Sequence, residues 1–177
     1  MEDLFAGVDV STQGQKIVII DLEKRSVIYS DSINYDIDLP KYNTLNGVLK
    51  DTDFGVSESN PNMWIDSLHL LFERLKTSSD IIQSIKSISI AGQQHGLVAI
   101  GKDGNLAKTT SKLWNDFSTL EECEILTKEI GGFEQMIHAV ANSQRTGYTA
   151  SKIFHMQRNE IELFNNTYQF MLVHNYV

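Results

Sequence analysis

Near the start of the chain two continuous apolar runs, 4–8 and 17–20, flank a polar turn, Ser11-Thr12-Gln13-Gly14-Gln15. Each run is closed by an acid, Asp9 and Asp21. Two β-rich runs around a short glycine-containing turn predict a β-hairpin. Both runs are too continuously apolar for a half-exposed sheet, which predicts strands in the middle of a covered one. Ser26-Val-Ile-Tyr-Ser30 predicts a third strand and extends the hairpin into a meander. Residues 34–59 then read as a long, irregular polar segment.

Asn60-Pro61 opens a helix, with Asn as N-cap and Pro at the first helical position. Trp64, Leu68, Leu71, Phe72 and Leu75 recur at helical spacing and predict its core face. His69 reads as a surface position. Residues 85–92 alternate apolar and polar, and 97–100 are apolar again. With Gln93-Gln94-His95-Gly96 between them they read as a second hairpin-like unit, ending at the turn 102–105. A helix is expected over 118–129, with Leu120, Cys123 and Ile130 inward. Gly131-Gly132 ends it. A short helix over 133–140 follows, then a polar loop over 142–147. Thr149 is placed to cap a helix reaching about Arg158, with Ile153 and Met156 inward. Residues 168–173 read as a final buried strand.

Composition narrows the classes. The chain has 177 residues, 41% hydrophobic and 21% charged, an ordinary globular composition whose length suits one domain. No linker, repeat or low-complexity segment marks an internal boundary. The formal net charge is -8, with no basic run, which argues against nucleic acid or an anionic membrane as partner. Phosphate binding stays open, because turn amides and a metal ion can hold it. Cys123 is the one cysteine, so neither a disulfide framework nor a Cys-rich zinc site is expected. It reads as a small core residue rather than a reactive thiol. The N-terminus has no signal-like segment and no apolar run reaches membrane-spanning length. A cytoplasmic location is the expectation.

Candidate chemistry gathers at four polar stations, each after an apolar strand-like segment: 9–13, 93–95, 114–116 and 143–145. In α/β sheets ligands collect beyond strand ends. An acid at a strand end, followed by hydroxyls and turn amides, is a place for a metal ion and phosphate oxygens. Asp9 and Ser11 serve equally as local turn partners, and the short Asp-x-Ser-Thr spacing alone favours that reading. Together the stations hold two carboxylates, a histidine, amides, an arginine and an indole, a set that suits a polyol. Amides and carboxylates grip hydroxyls, Trp114 can stack on a carbon face, and Arg145 can bind an oxygen. Each residue also has a structural reading. His95 can satisfy a turn, Trp114 can be core, Asp116 is a good N-cap, and Arg145 can be a surface charge.

Four segments change that balance: Gly7-Val-Asp9-Val-Ser-Thr-Gln13, Ala91-Gly-Gln-Gln-His-Gly96, Leu113-Trp-Asn-Asp116 and Thr146-Gly-Tyr-Thr-Ala-Ser-Lys152. Their order and spacing resemble those of the FGGY carbohydrate kinases, with the xylulokinases most similar. The resemblance runs along essentially the whole chain and includes Asp38-Leu-Pro40. It implies an α/β, ribonuclease H-like N-terminal lobe of the actin/hexokinase/Hsp70 superfamily, with a mixed sheet, an opening β-meander and flanking helices. It implies ATP and Mg²⁺ as cofactors of the full-length enzyme and a D-xylulose-like ketose as substrate. Asp9, Ser11, Thr12 and Gln13 would form the first phosphate loop, with Asp9 on the metal side. Gln94, His95, Trp114, Asn115 and Asp116 would line the sugar pocket, and Arg145 would contact the ketose. A homodimer of the full-length protein is compatible with it.

The sequence departs from the family pattern in three places. Phe117-Ser118 stands where many relatives have Gly-Arg, and Arg145 could compensate. Asn175 stands where many carry Asp. The family's catalytic aspartate lies in a segment downstream of Val177, as does the nucleotide-binding C-terminal lobe. The expectation is therefore a partial FGGY N-terminal domain over 1–177, with no catalytic base of its own and little or no kinase activity alone. The parent reaction would convert ATP and D-xylulose to xylulose 5-phosphate and ADP. The competing readings are a non-catalytic sugar-binding or regulatory module on the same lobe, and an actin- or Hsp70-type ATPase. A bare ATPase has no need of the 93–95 and 114–116 stations.

Overall fold

The computed structural model describes residues 3–78 and 80–177. In chain order the elements are β1 (Leu4–Val10), β2 (Gly14–Asp21), β3 (Ser26–Asn34), α1 (Tyr35–Asp38), β4 (Thr44–Leu45), β5 (Val48–Leu49), β6 (Glu58–Ser59) and α2 (Pro61–Ser78). Next come β7 (Ile85–Gly92), β8 (Val98–Gly101), β9 (Ser111–Lys112), α3 (Leu120–Glu129), α4 (Phe133–Val140), α5 (Thr149–Asn159), α6 (Ile161–Asn166), β10 (Thr167–Met171) and α7 (Val173–Tyr176). Contacts gather in two compact units, one formed by residues 3–50, 60–93 and 173–177, the other by 51–59 and 94–172. The chain passes between them several times, so no single linker could have marked a boundary.

The first unit is built on a mixed sheet of order β3-β2-β1-β7. β1 pairs antiparallel with β2, and β2 with β3, giving the expected meander. β7 runs parallel to β1. A parallel neighbour needs a long crossover, and α2 lies within that crossover, packed on β2 and β3. Leu4, Ala6, Val8 and Val10 alternate as the buried positions of β1, and Ile17 and Ile19 of β2 and Trp64, Leu71 and Leu75 of α2 are buried in the same unit. Each Leu, Ile or Val side chain among them contributes roughly 1.5–3 kcal/mol when fully buried. Polar Ser67 is buried in the same layer, its hydroxyl within hydrogen-bond reach of Gln15 Oε1 and the Trp64 carbonyl.

Several expectations change here. β1 and β2 are central, but only one face of the sheet is covered in the described residues. Gly7 and Asp9 are exposed on the other, together with Lys16, Ser89 and Ala91. The apolar run 4–8 therefore reads as buried only at every second position, as strand geometry dictates. Segments 85–92 and 97–100 do not form a hairpin. β7 takes β1 as its partner, and β8 pairs antiparallel with β10 in the second unit. The irregular 34–59 segment holds α1 and three two-residue strands. Asn34 caps α1, its Oδ1 accepting from Ile37 N at 3.2 Å.

In the second unit Leu97, Val98, Ala99, Ile100, Leu113, Cys123, Met136 and Met156 are buried. Cys123 is a small core residue, and burial pushes its thiol pKa up. On α3, however, Leu120 and Ile130 are exposed and Glu122 is buried. Glu122 accepts from Arg158 Nη1 at 2.8 Å and from Asn159 Nδ2 at 3.2 Å, so the inner face of the helix carries an ion pair to α5. The final strand is not buried. β10 is half exposed, and α6 and α7 flank it in the chain. Thr149 begins α5 rather than capping it, and Asp116 does not cap α3, whose N-cap is Thr119.

Candidate functional site

In the first unit the chain leaves β1 at Val10 and turns tightly, with Ser11 N donating to Gly14 O at 3.0 Å. Asp9 is exposed at the strand end, and its Oδ2 accepts from Ser11 Oγ at 2.5 Å. Lys16 is the register partner of Asp9 on β2, so carboxylate and ammonium project from the same exposed sheet face. A shallow open depression there is lined by Gly7, Asp9, Lys16, Val18, Ser89 and Ala91. Thr12 Oγ1 donates to Gln93 Oε1 at 3.1 Å, and Gln93 N donates to Val10 O at 2.8 Å. Gln13 O accepts from Tyr35 N at 3.1 Å. Behind the turn lies Gly47, at φ +77°, where a Cβ would overlap the Thr12 carbonyl. Asp36 holds that glycine in place, accepting from Thr44 Oγ1 at 2.7 Å, Asn46 N at 2.6 Å and Gly47 N at 3.1 Å. Burial pushes the Asp36 pKa up, but these donors outweigh it and hold the carboxyl below its ordinary value.

The second unit carries the other stations. His95 has a left-handed backbone, φ 61°. Its ring stacks on Tyr148 with centroids 4.6 Å apart and 27° between planes, and Nδ1 lies 3.3 Å from Thr149 Oγ1. The backbone oxygen of His95 accepts from Lys152 Nζ at 2.6 Å. Burial lowers the His95 pKa, and the Lys152 charge lowers it further, so the ring is neutral at pH 7. Lys152 is 1% exposed. Burial pulls its pKa down to about 7, with Lys112 adding to the fall and Asp116 opposing it.

Trp114 is 53% exposed, so the core reading of its indole fails. Its carbonyl is crowded by Gly147 at φ +84°, where a Cβ would overlap it. Asn115 Oδ1 accepts from Ser57 Oγ at 2.8 Å. Asp116 has no exposed surface. It accepts from Ser57 N at 2.9 Å, Ser118 N at 3.1 Å and Ser118 Oγ at 2.6 Å, with Lys112 Nζ at 3.4 Å. Its carboxylate ties the 57 and 118 segments together. Gln94 is exposed beside His95. Arg145 is exposed too, its Nε 3.4 Å from Ser143 Oγ, and its carbonyl accepts from Tyr148 N at 3.2 Å. The 145–149 segment thus runs from Arg145 past the Trp114 carbonyl at Gly147 to the His95 ring at Tyr148 and Thr149.

Asp9, Ser11, Thr12 and Gln13 therefore sit together in the first unit, and Gln94, His95, Trp114, Asn115, Asp116 and Arg145 in the second. Tyr148, Thr149 and Lys152 are additions to the set. All three lie within the 146–152 segment, but a helical lysine ordinarily reads as solvated, and only the fold shows Thr149, Lys152 and buried Met156 sharing the inner face of α5. Among the described residues no group of three or more His, Cys, Asp and Glu side chains could hold a metal ion. A single exposed carboxylate beside a hydroxyl still fits Mg²⁺, which keeps several waters and binds one or two carboxylates plus phosphate oxygens.

Residues 4–177 match the N-terminal domain of the FGGY family of carbohydrate kinases. The xylulose kinase of Schizosaccharomyces pombe is 35% identical, the match covering 98% of this chain and 34% of that protein. The xylulose kinase of Haemophilus influenzae is 32% identical with the same coverage. The chain thus spans about a third of the length of the curated relatives it matches. Among solved structures, a xyloylose kinase from Brucella ovis superposes with TM-score 0.82 at 24% identity, over 98% of this chain and 33% of that one. A xylulose kinase from Bifidobacterium adolescentis superposes with TM-score 0.78 at 23% identity, over 99% and 33%. This chain shares their fold, mixed α/β, over about a third of their length. The chain belongs to the FGGY family of carbohydrate kinases, and residues 4–177 correspond to the family's N-terminal domain.

Proposed function

We propose that this chain carries the ketose-binding residues and the first phosphate loop of a xylulokinase-like sugar kinase. The parent reaction is transfer of the ATP γ-phosphoryl group to D-xylulose, giving xylulose 5-phosphate and ADP. The observation that carries the reading is the 145–149 segment, which runs from Arg145 past the Trp114 backbone to the His95 ring. A neutral imidazole whose Nδ1 faces Thr149 leaves Nε2 for a sugar hydroxyl. The exposed Trp114 ring offers a flat apolar face to the carbon side of the sugar. Gln94, Asn115 and Arg145 supply further hydrogen-bonding groups, and Asp116, with its oxygens occupied, sets the position of Asn115 and the 118 turn.

In the first unit Asp9 and Ser11 would hold Mg²⁺, while Thr12, Gln13 and the turn amides face phosphate oxygens. When bound, the ion neutralises charge on the transferring phosphoryl group. Lys16 adds a cation on the same exposed face. Phosphoryl transfer depends on positioning and charge neutralisation more than on covalent help from the protein. None of the carboxylates described here is assigned as the base that activates the acceptor hydroxyl. The 177 residues alone are therefore expected to bind ketose without turning it over, in the cytoplasm and without nucleic-acid or membrane partners.

The test is a titration of the chain with D-xylulose followed by NMR, alongside an ATP-dependent phosphorylation assay. Shifts of the Trp114 indole N–H and the His95 ring, lost in His95→Ala, support the reading. No response at millimolar ketose, or ATP hydrolysis indifferent to a panel of sugars, overturns it. Robust xylulose phosphorylation by the 177 residues would overturn the assignment of the base outside them.

A further inference from the structure

His95 is the residue of the second unit on which the most unusual local demands converge. It is not glycine, yet its backbone is left-handed at φ 61°. Such a conformation is uncommon outside glycine and carries an energetic cost that contacts around the residue can offset. Helix α5 supplies the hold from consecutive positions at its start. Tyr148 stacks on the ring, Thr149 Oγ1 meets Nδ1, and one turn later Lys152 Nζ donates to the backbone oxygen at 2.6 Å. Thr149 and Lys152 are three residues apart, so they lie on one face of the helix.

Lys152 is an unusual residue for this work. Lysine is almost never fully buried unless it is paired, and this one is 1% exposed. Its amine donates to a neutral carbonyl, that of His95. The charged groups that face it are Asp116 and Lys112, and Lys108, His155 and Glu160 line the same narrow cavity. Lys108 is already engaged with Glu160 at 2.7 Å, and Lys112 with Ser118 Oγ at 2.7 Å. Lys152 is thus the amine in this cluster directed at the His95 turn.

We infer that Lys152 is a positioning residue for ligand recognition: its buried amine clamps the left-handed His95 turn and so fixes the imidazole between Tyr148 and Thr149. The inference rests on the reading of His95 as a ligand-binding group. It adds that the orientation of His95 depends on a donor one helical turn into α5. A lysine that merely fills space would affect stability but leave the His95 ring where it is. A clamp ties ring orientation, titration and ligand affinity to one amine.

The experiment is NMR of the ligand-free chain, as wild type, Lys152→Met and Lys152→Gln, with thermal melts to confirm folding. In the wild type, nuclear Overhauser contacts are expected between the Lys152 ε-methylene and the 95–96 backbone, and between the His95 and Tyr148 rings. Lys152→Met should lose the ring–ring contact, raise the His95 pKa towards the ordinary histidine value, and weaken D-xylulose binding by roughly tenfold or more. Lys152→Gln keeps a donor without the charge. It should retain the ring–ring contact while still raising the His95 pKa. A folded Lys152→Met with unchanged ring contacts and titration overturns the inference. So does a wild type lacking the Lys152-to-95–96 contacts, which needs no variant at all. If the clamp signatures appear but no protein binds D-xylulose, the functional reading fails while the clamp stands.

Discussion

Thr12 and Gln93 join the two strand ends of the candidate phosphate loop. The Thr12 hydroxyl donates to Gln93 Oε1 at 3.1 Å, across 81 residues of sequence. The turn after β1 is therefore held by the end of its parallel neighbour β7, not only by its own hairpin. Gln93→Ala is expected to cost about 0.5–1.5 kcal/mol, the usual net worth of one such bond. Its sharper effect is local: amide hydrogen exchange at 11–13 should accelerate while exchange in α2 is unchanged. Equal acceleration in both would show that the bond supports the whole unit.

Gly47 offers a test of close approach. Gly47 and Gly104 both have a left-handed backbone, φ +77° and +81°. A Cβ at Gly104 meets nothing within 4 Å, whereas one at Gly47 overlaps the Thr12 carbonyl. Gly104→Ala should cost about 1 kcal/mol, from backbone conformation alone. Gly47→Ala adds overpacking of about 1–3 kcal/mol and moves the Thr12 turn. Urea denaturation of the two variants measures the difference, and equal values would contradict it.

Asp116 is buried with both oxygens occupied. Asp116→Asn keeps the volume but removes the charge and turns one acceptor into a donor. A loss of about 2–4 kcal/mol is expected, because Lys112 and the Ser57 and Ser118 donors lose their partner. A thermal melt checks this. An unperturbed melting temperature would mean that Asp116 does not hold the 57 and 118 segments.

Lys152 ties stability to pH. Its folded pKa is near 7, while an unfolded lysine titrates at about 10.4. Between those values the native state binds fewer protons than the unfolded chain, so stability rises with pH. Below about pH 7 both states are protonated and the full cost of burying the charge is carried. Wild type should therefore gain about 2–4 kcal/mol relative to Lys152→Met between pH 6.5 and pH 10. Parallel stability curves for the two proteins would contradict this origin.

How much of this was legible beforehand depended on whether one segment could specify the feature. The β1–β2 hairpin, α2 and α4 were readable because each carries its own periodicity and punctuation, such as Asn60-Pro61 before α2. The partner of β7 was not, because its alternation is the same whether it pairs with β8 or with β1. The single-faced burial of β1 was hidden for a related reason: exposed Gly7 sits inside an apolar-looking run. At the site, Asp9, His95, Trp114 and Arg145 stood out as chemistry-bearing types after strand-like segments. Lys152 did not, since a lysine on a helix ordinarily reads as solvated. Only the folded position of α5 turns it towards the His95 carbonyl.

The central claim is that the second unit holds a ketose through His95, Trp114 and Arg145. Calorimetric titration of the 177-residue chain with D-xylulose, beside His95→Ala, tests it most directly. The account predicts saturable binding by the wild type, weakened by roughly tenfold or more in a folded His95→Ala variant. Binding that is absent in the wild type, or unchanged in His95→Ala, would contradict it.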